Sequence, residues 1–322
     1  MERGFVKTLV LVNPRAGNHR GGMWLSMLRE RVRALGLEAL VRVQYTRPEA
    51  LEDQVRDEAK GMERLAVVGG DGTISQVLEA MWRSRLSIPV GIVPLGTGND
   101  LARSLGLYRG RAWGIGEAVD YLKTPRTRPL DLWSIQDRAC FSNYASVGLD
   151  AAVVRRFCRL RKWIHAHPLL GRRGFYFAMY IVVWAGRITQ RVPLGSRLTW
   201  VDETGRTFHR GMGGARVLAL SNTPYYAAGA LMDEEAELGD GLLEVTLFPN
   251  MRHYAELMAT RAKPARRLGL QRRWWRVRAR SLEIHLGSSS PIQADGEDIT
   301  DRLGEGISLE VQRRTQMQLL VW

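Results

Sequence analysis

Two glycine-rich turns constrain this chain more than any other feature. Gly69-Gly70-Asp71-Gly72-Thr73 and Pro94-Leu95-Gly96-Thr97-Gly98-Asn99-Asp100 begin 25 residues apart; each follows a short apolar run and each leads into a helical pattern. Residues without a Cβ let backbone N–H groups come close to phosphate oxygens, and a helix that follows adds the positive end of its dipole. An acid in each turn can hold a cation or orient a hydroxyl. The layout predicts a phosphate-handling cleft.

Strand and helix signals alternate through the first 130 residues. Phe5 to Val12 reads as a buried strand, and Trp24, Leu25, Leu28, Val32 and Leu35 recur at helical spacing until Gly36. Ala39, Val41, Val43 and Tyr45 alternate as a strand does, and Thr46 with Glu49 has the spacing of a capping box ahead of Leu51, Val55 and Ala59. Leu65 to Val68 and Ile88 to Val93 are further strands, with a helix at Ile74 to Trp82 between them. This alternation predicts a parallel sheet covered on both faces, with ligands at the carboxyl ends of the strands, where both turns fall.

From about Leu132 the texture changes to short strands separated by turn signals: Leu198 to Val201, Arg216 to Leu220, Leu242 to Phe248, Val277 to Leu286 and Ile307 to Val311. Helical stretches interrupt them near Asp150 to Arg161 and Phe175 to Ile188. The expected fold is therefore α/β plus mainly β. Residues 1–131, with 307–322 returning to them, would form a doubly wound α/β domain, and residues 132–306 an antiparallel β-rich one, with the active site in the cleft between.

With 45% hydrophobic residues in 322 the chain can bury ordinary cores, and its formal charge of +14 implies an anionic partner. The two cysteines, Cys140 and Cys158, lack metal-ligand spacing and fit a reducing cytosol. No targeting segment is evident, and the most hydrophobic stretch, Phe175 to Gly186, is about a dozen residues where a spanning helix needs roughly 20. Between Arg261 and Arg280 stand nine Lys or Arg and no acid, with Trp274 and Trp275 among them, and Arg155 to Arg173 is similarly basic around Trp163. A solvated face is the plain explanation. A peripheral docking surface for an anionic membrane is the alternative favoured here, since basic residues gain about 1 kcal/mol each near an anionic leaflet and tryptophan suits the headgroup region.

The usual nucleotide fingerprints are missing: neither a Walker-A phosphate loop nor Gly-x-Gly-x-x-Gly follows a strand. A third loop, Asn13-Pro14-Arg15-Ala16-Gly17, closes the first strand, and none of the three loops contains lysine. Phosphate donors must then be backbone amides, hydroxyls such as Thr73 and Thr97, and Arg15 or Arg20. Far downstream lies Ala294-Asp295-Gly296-Glu297. Asp-Gly alone is a common surface turn; folded back toward the first two loops, Glu297 could take the proton of an attacking hydroxyl.

Together, Asn13 to Gly17, Gly69 to Thr73, Pro94 to Arg103, Asp150-Ala151, Asp240-Gly241 and Asp295 to Glu297 resemble the diacylglycerol kinase catalytic family, especially its bacterial soluble lipid kinases, in order and spacing along nearly the whole chain. The resemblance implies ATP against the N-terminal domain and a lipid alcohol entering between the domains. It implies nucleotide contacts at Asn13, Pro14, Arg15, Gly17, Thr46, Gly69, Gly70, Asp71, Gly72, Thr73, Ile74, Ser75, Gly96, Thr97 and Asn99. Glu297 matches the family's proton acceptor, and Asp71 and Asp100 match acids that orient the hydroxyl and a catalytic magnesium. A second, structural magnesium is implied at Glu237, Asp240 and Leu242, through backbone carbonyls at the first and last. A cytoplasmic, peripherally membrane-associated kinase follows, with no nucleic-acid partner expected. Leu101, Ser146 (a usual glycine), Tyr226-Ala227-Ala228-Gly229 (a glycine-rich turn) and Met232-Asp233 depart from the pattern, and bear on the acceptor rather than the nucleotide. Two other classes are open: a soluble-metabolite kinase of the NAD kinase type, which shares Gly69 to Thr73, and a basic nucleic-acid-binding protein.

Overall fold

Parallel strands joined by helices build the first part of the chain, as the alternation requires. The computed structural model describes residues 5–96, 98–108, 110–111, 113–165, 182–183, 186–187, 189–261, 274–304 and 307–322. The elements run β1 (Thr8–Val12), α1 (Ala16–His19), α2 (Gly21–Ala34), β2 (Val41–Tyr45), α3 (Leu51–Glu58), β3 (Arg64–Gly69), α4 (Asp71–Arg83), β4 (Val90–Pro94), α5 (Asp100–Ser104) and α6 (Ile115–Tyr121). β2, β1, β3 and β4 pair in that order, all parallel. β1 and β4 are buried along their whole length, the mark of strands covered on both faces.

The second part continues with β5 (Thr127–Ile135), β6 (Ala139–Phe141), β7 (Tyr144–Gly148), α7 (Leu149–His165), β8 (Arg197–Val201), β9 (Thr207–Gly211), β10 (Val217–Ser221), β11 (Tyr225–Tyr226), β12 (Ala230–Leu231), β13 (Leu243–Phe248), α8 (Met251–Ala259), β14 (Trp275–Ala279), β15 (Ser281–His285), β16 (Ile292–Ala294), β17 (Glu297–Asp298), α9 (Thr300–Leu303) and β18 (Ser308–Leu320). β18 carries the chain back. It runs antiparallel to β5 and β15 and lies parallel to β4 at Leu319, so one sheet spans both parts in the order β2-β1-β3-β4-β18-β15-β8-β9. The expected break near residue 131 falls inside β5.

A second sheet, β14-β13-β10-β7-β16-β17, is antiparallel. Period-two alternation sends its residues into two cores. Leu218 and Leu220 of β10 join Trp133, Leu243, Leu282 and Ile292 between the sheets, while Val217 and Ala219 join Leu149, Tyr226, Phe248 and Tyr254 on the opposite face.

Three local expectations differ from the structure. Thr46 and Glu49 form no capping box: Pro48 starts a 3-10 turn over Pro48–Ala50, and α3 begins at Leu51 without a side-chain cap. A proline there fixes φ and disfavours helix in the residue before it, and Gln54 instead ties the strand end, accepting from Arg47 N (2.8 Å) and donating to Tyr45 O (2.8 Å). The single strand Val277 to Leu286 is two, because the chain changes sheets at Arg280; β14 pairs with β13, and β15 with β8 and β18. The strand expected at Ile307 to Val311 extends to Leu320, since its later residues have β5 alongside them. Most of the expected helix Phe175 to Ile188 lies outside the described residues.

Candidate active site

The parallel register brings Asn13, Thr46, Gly70 and Leu95 to one edge, just past the ends of β1, β2, β3 and β4. There the two glycine turns meet. A Cβ on Gly70 would stand 3.0 Å from the Gly96 Cα, and Leu95 N donates to Gly69 O at 2.8 Å. Backbone packed against backbone leaves no room for a side chain, which explains glycine on both sides. The Asn13 amide donates to Thr73 Oγ1 at 2.7 Å while its oxygen accepts from Arg15 N at 2.9 Å, so the third loop is tied to the first turn of α4. Asn99, in the left-handed region at φ 54°, closes the second turn by bonding Gly96 N (3.0 Å) and Gly96 O (2.8 Å). Thr46 is tied to β1 by its backbone N–H, which donates to Val12 O at 3.0 Å, and its buried Oγ1 has no partner among the described residues. These groups fit a nucleotide: open amides at the start of α4, a dry hydroxyl lacking an acceptor, and a floor without side chains.

The two acids sit side by side. Asp71 Oδ2 accepts from Asp100 N (3.0 Å) and Oδ1 from Leu101 N (3.3 Å), so the acid of the first turn pins the start of α5. Burial, then the charge of Asp100, pushes the Asp71 carboxyl up to about 7. Asp100 is buried; its Oδ2 accepts from Ala228 N at 2.7 Å, its Oδ1 has no hydrogen bond, and burial raises its pKa as well. Paired carboxylates that resist ionisation suit a cation between or beside them. Among the described residues no three His, Cys, Asp or Glu side chains converge as a complete metal cage. Magnesium bound with a nucleotide needs only one or two protein carboxylates, so this pair fits it.

The downstream motif folds onto these loops. Asp295 (φ 48°) and Gly296 (φ 80°) form the two-residue turn between β16 and β17, the left-handed pair that such hairpins need. The buried Asp295 carboxylate accepts from Ser142 N (2.8 Å), Ser142 Oγ (3.1 Å), Asn143 N (2.9 Å) and Tyr144 N (3.0 Å). Ser75 of α4 lies near enough to lower its pKa, although burial, the larger effect, raises it. Glu297 is half-buried, with Oε1 3.6 Å from where a Gly72 Cβ would be and Oε2 3.7 Å from Cys158 Sγ. Glu297 and the first glycine turn thus border one crevice, with Asp71 between that turn and Asp100.

Residues 7–135 match the diacylglycerol kinase catalytic domain and residues 140–298 the diacylglycerol kinase accessory domain. The chain belongs to the diacylglycerol kinase family. It is 33% identical over 193 residues to a diacylglycerol kinase of Mycobacterium tuberculosis, a match spanning 59% of this chain and 56% of that protein. It is 26% identical over 294 residues to a probable lipid kinase of Pseudomonas aeruginosa, covering 91% of this chain and 88% of the relative. Two solved structures share the fold, a diacylglycerol kinase and a putative diacylglycerol kinase of Bacillus anthracis. Their TM-scores are 0.67 and 0.65 at 18% identity, covering 100% of this chain and 99% of each.

Other residues matched to the family's sites are placed less evenly. Arg15 is exposed at the start of α1, and Pro14 is half-buried before it. Gly17, at φ 60°, packs on Leu95. The Ile74 side chain is fully buried, leaving only its backbone for a ligand, and Ser75 is buried on the side of Asp295. Thr97 lies outside the described residues. At the implied second cation site, Glu237 is exposed, Asp240 Oδ1 accepts from Leu242 N (2.9 Å), and Asp240 Oδ2 engages the Arg278 guanidinium. The one carboxylate offered there is already occupied on both oxygens by donors. Arg278 supplies a positive charge there and also reaches Glu244 Oε1 at 3.6 Å, so a cation at Glu237, Asp240 and Leu242 would have to displace it. Cys158, Ser142 and Ala228 carry no sequence signal for their positions beside Glu297, Asp295 and Asp100; the fold alone brings them there.

Proposed function

We propose that this chain transfers the γ-phosphoryl group of ATP to the hydroxyl of a lipid alcohol, diacylglycerol or a similar lipid, with Glu297 accepting the proton. The observation that carries the reading is the Glu297 carboxylate lying against Gly72, in the turn whose Asp71 accepts from Asp100 N, although it comes from the far end of the chain. Phosphoryl transfer asks for positioning and charge neutralisation more than for covalent help. The Asn13 loop, Thr46, Gly69 to Ser75, Gly96, Thr97 and Asn99 hold the nucleotide, mainly through backbone amides. Asp71 fixes the 98–101 segment, and Asp71 and Asp100 orient the acceptor hydroxyl and face the cation. Magnesium, when bound, neutralises phosphate charge. Glu297 relieves the lipid hydroxyl of its proton as the new P–O bond forms.

The match to the accessory domain favours a lipid over a soluble metabolite such as NAD, and the acidic loops give a nucleic-acid binder nothing to do. Among the described residues no helix is long and apolar enough to cross a membrane. Peripheral docking on an anionic, cytoplasmic membrane face is the corresponding proposal. Of the basic stretches, residues 166–173 and 262–273 lie outside the described residues, whereas Arg155, Arg276 and Arg278 face Asp301, Asp233 and Asp240. Docking would draw on the exposed Arg156, Arg159, Arg261 and Arg280 of the same stretches, and equal binding to anionic and neutral vesicles would refute it.

A labelled-ATP screen against a panel of lipid alcohols, with NAD as a control acceptor, tests the substrate class. Glu297→Gln should lower turnover roughly 10²–10⁴-fold, the range for a general base. Near-normal turnover in a folded variant would remove Glu297 from the mechanism.

A further inference from the structure

The turn that presents Glu297 is tied to a buried polar cluster that phosphoryl transfer does not itself use. Asp150, buried at the start of α7, accepts on Oδ2 from Tyr226 OH (2.6 Å), Ser146 Oγ (2.8 Å) and Gln293 Nε2 (3.3 Å), and on Oδ1 from Tyr254 OH (2.9 Å). Gln293, fully buried in β16, also donates through Nε2 to Ser146 Oγ at 2.9 Å. Its Oε1 accepts from Gly296 N at 2.9 Å.

A side-chain amide has one donating and one accepting end. Both Asp150 oxygens already accept hydrogen bonds and Ser146 donates its O–H to Asp150, so Asp150 and Ser146 both meet the NH₂ end of Gln293. The amide oxygen is thereby turned toward Gly296. That bond restrains a turn whose two residues are left-handed, one of them non-glycine. On the other side α7 closes the turn through Cys158 Sγ, 3.9 Å from Gly296 O and 3.7 Å from Glu297 Oε2.

We propose that Gln293 is a positioning residue for Glu297. The Asp150–Ser146 pair locks its amide, and the amide holds Gly296 so that the next carboxylate stays against Gly72. The proposal rests on the reading of Glu297 as proton acceptor, and Ser146, which stands at a usual glycine of the family, supplies one link of the lock.

The test is Gln293→Leu, which removes both ends of the amide at similar volume. Two readouts are followed: steady-state kinase kinetics with magnesium and ATP, and iodoacetamide labelling of Cys158 measured on its peptide. Cys140, the other buried free thiol, is the internal control. Turnover should fall roughly ten- to hundredfold with the KM for ATP unchanged, as expected for a misplaced reacting group. Cys158 labelling should quicken about fivefold or more as the turn opens locally, and Cys140 labelling should not. Ser146→Ala, a milder cut of the same lock, should move both readouts in the same direction by less, and carries the test if Gln293→Leu does not fold. Unchanged turnover and labelling in the folded variants would overturn the proposal, as would a loss expressed only in the KM for ATP. Full turnover by Glu297→Gln would sink the base assignment separately, while faster Cys158 labelling in Gln293→Leu would still support the hold on the turn.

Discussion

Replacing Asp71 by Asn separates the electrostatics of the crevice from its packing. The Asp71 carboxyl is pushed up to about 7 from 3.8, by burial first and by the charge of Asp100 second. Because the folded value is the higher one, the folded protein binds this proton more tightly than the unfolded chain does. The contribution is fully present below pH ~4 and is lost as pH rises to about 7. At 1.36 kcal/mol per pH unit the whole effect is about 4 kcal/mol, of which roughly 2–3 kcal/mol falls between pH 5 and pH 8. Asn does not titrate. Its oxygen can keep one of the two N–H partners while its NH₂ faces the other donor, a cost of about 1–3 kcal/mol that does not depend on pH. The stability of wild type minus that of the variant should therefore fall by roughly 2–3 kcal/mol from pH 5 to pH 8. Carboxylates remote from Asp71 titrate in both proteins and cancel to first order, and relief of Asp100 from its charged neighbour in the variant adds to the difference in the same direction. Urea unfolding at pH 5, 6.5 and 8 with chelator measures this directly. Adding magnesium at pH 8 should restore wild type and leave the variant where it was. Parallel stability curves would refute the picture of a desolvated carboxyl facing a second one.

Two further outcomes follow from buried groups elsewhere. Thr46→Val removes a buried hydroxyl without a partner, so the free protein should be unchanged or up to about 1 kcal/mol more stable, while the KM for ATP rises several-fold because the nucleotide loses its donor. Thermal melts and initial rates report the two halves. At the second cation site, burial and then Asp233 and Asp240 push Glu244 up to about 8, so its stabilising contribution is present below the ordinary Glu range and is lost as pH rises through about 8. Arg278→Met should steepen the loss of melting temperature between pH 6 and pH 9 beyond that of wild type.

How much of this could be read in the sequence depended on whether a residue's role is local. The three loops at the ends of β1, β3 and β4 were legible because glycine, asparagine and an acid at fixed spacing are demanded by the turn itself, and the structure ties them together through Asn13 and Thr73 and through Gly70 and Gly96. Apolar periodicity likewise reads out α2 and the buried β1. What failed was decided by tertiary competition. Thr46 has the right spacing for a cap, but Pro48 delays the helix. Val277 to Leu286 alternates correctly for one strand, yet its halves belong to different sheets. The Asp150–Gln293 cluster was illegible because its members come from β7, α7, β11, α8 and β16, and no local pattern relates them.

The net charge of the whole molecule is opposite in sign to the paired carboxylates at the glycine turns. A chain of +14 net charge sets the carboxylates of Asp71 and Asp100 together at the two glycine turns, with Arg103 Nε 3.8 Å from Asp100 Oδ1, and brings Glu297 against Gly72. The half-buried Tyr144 ring near the turns has its pKa raised by desolvation and then by Asp100, Asp71, Asp150 and Asp295 in turn. A free polyphosphate would be repelled at short range by carboxylates that already resist one another, whereas the same phosphates accompanied by a divalent cation would relieve that repulsion. The surface charge can gather anions over a Debye length of about 8 Å at physiological salt, but selection at the crevice then requires the cation. Nucleotide binding should accordingly be weak in chelator at any ionic strength, and should strengthen with magnesium more for wild type than for Asp71→Asn. Equal nucleotide affinity with and without magnesium would mean that the carboxylates lie too far from the phosphates to matter.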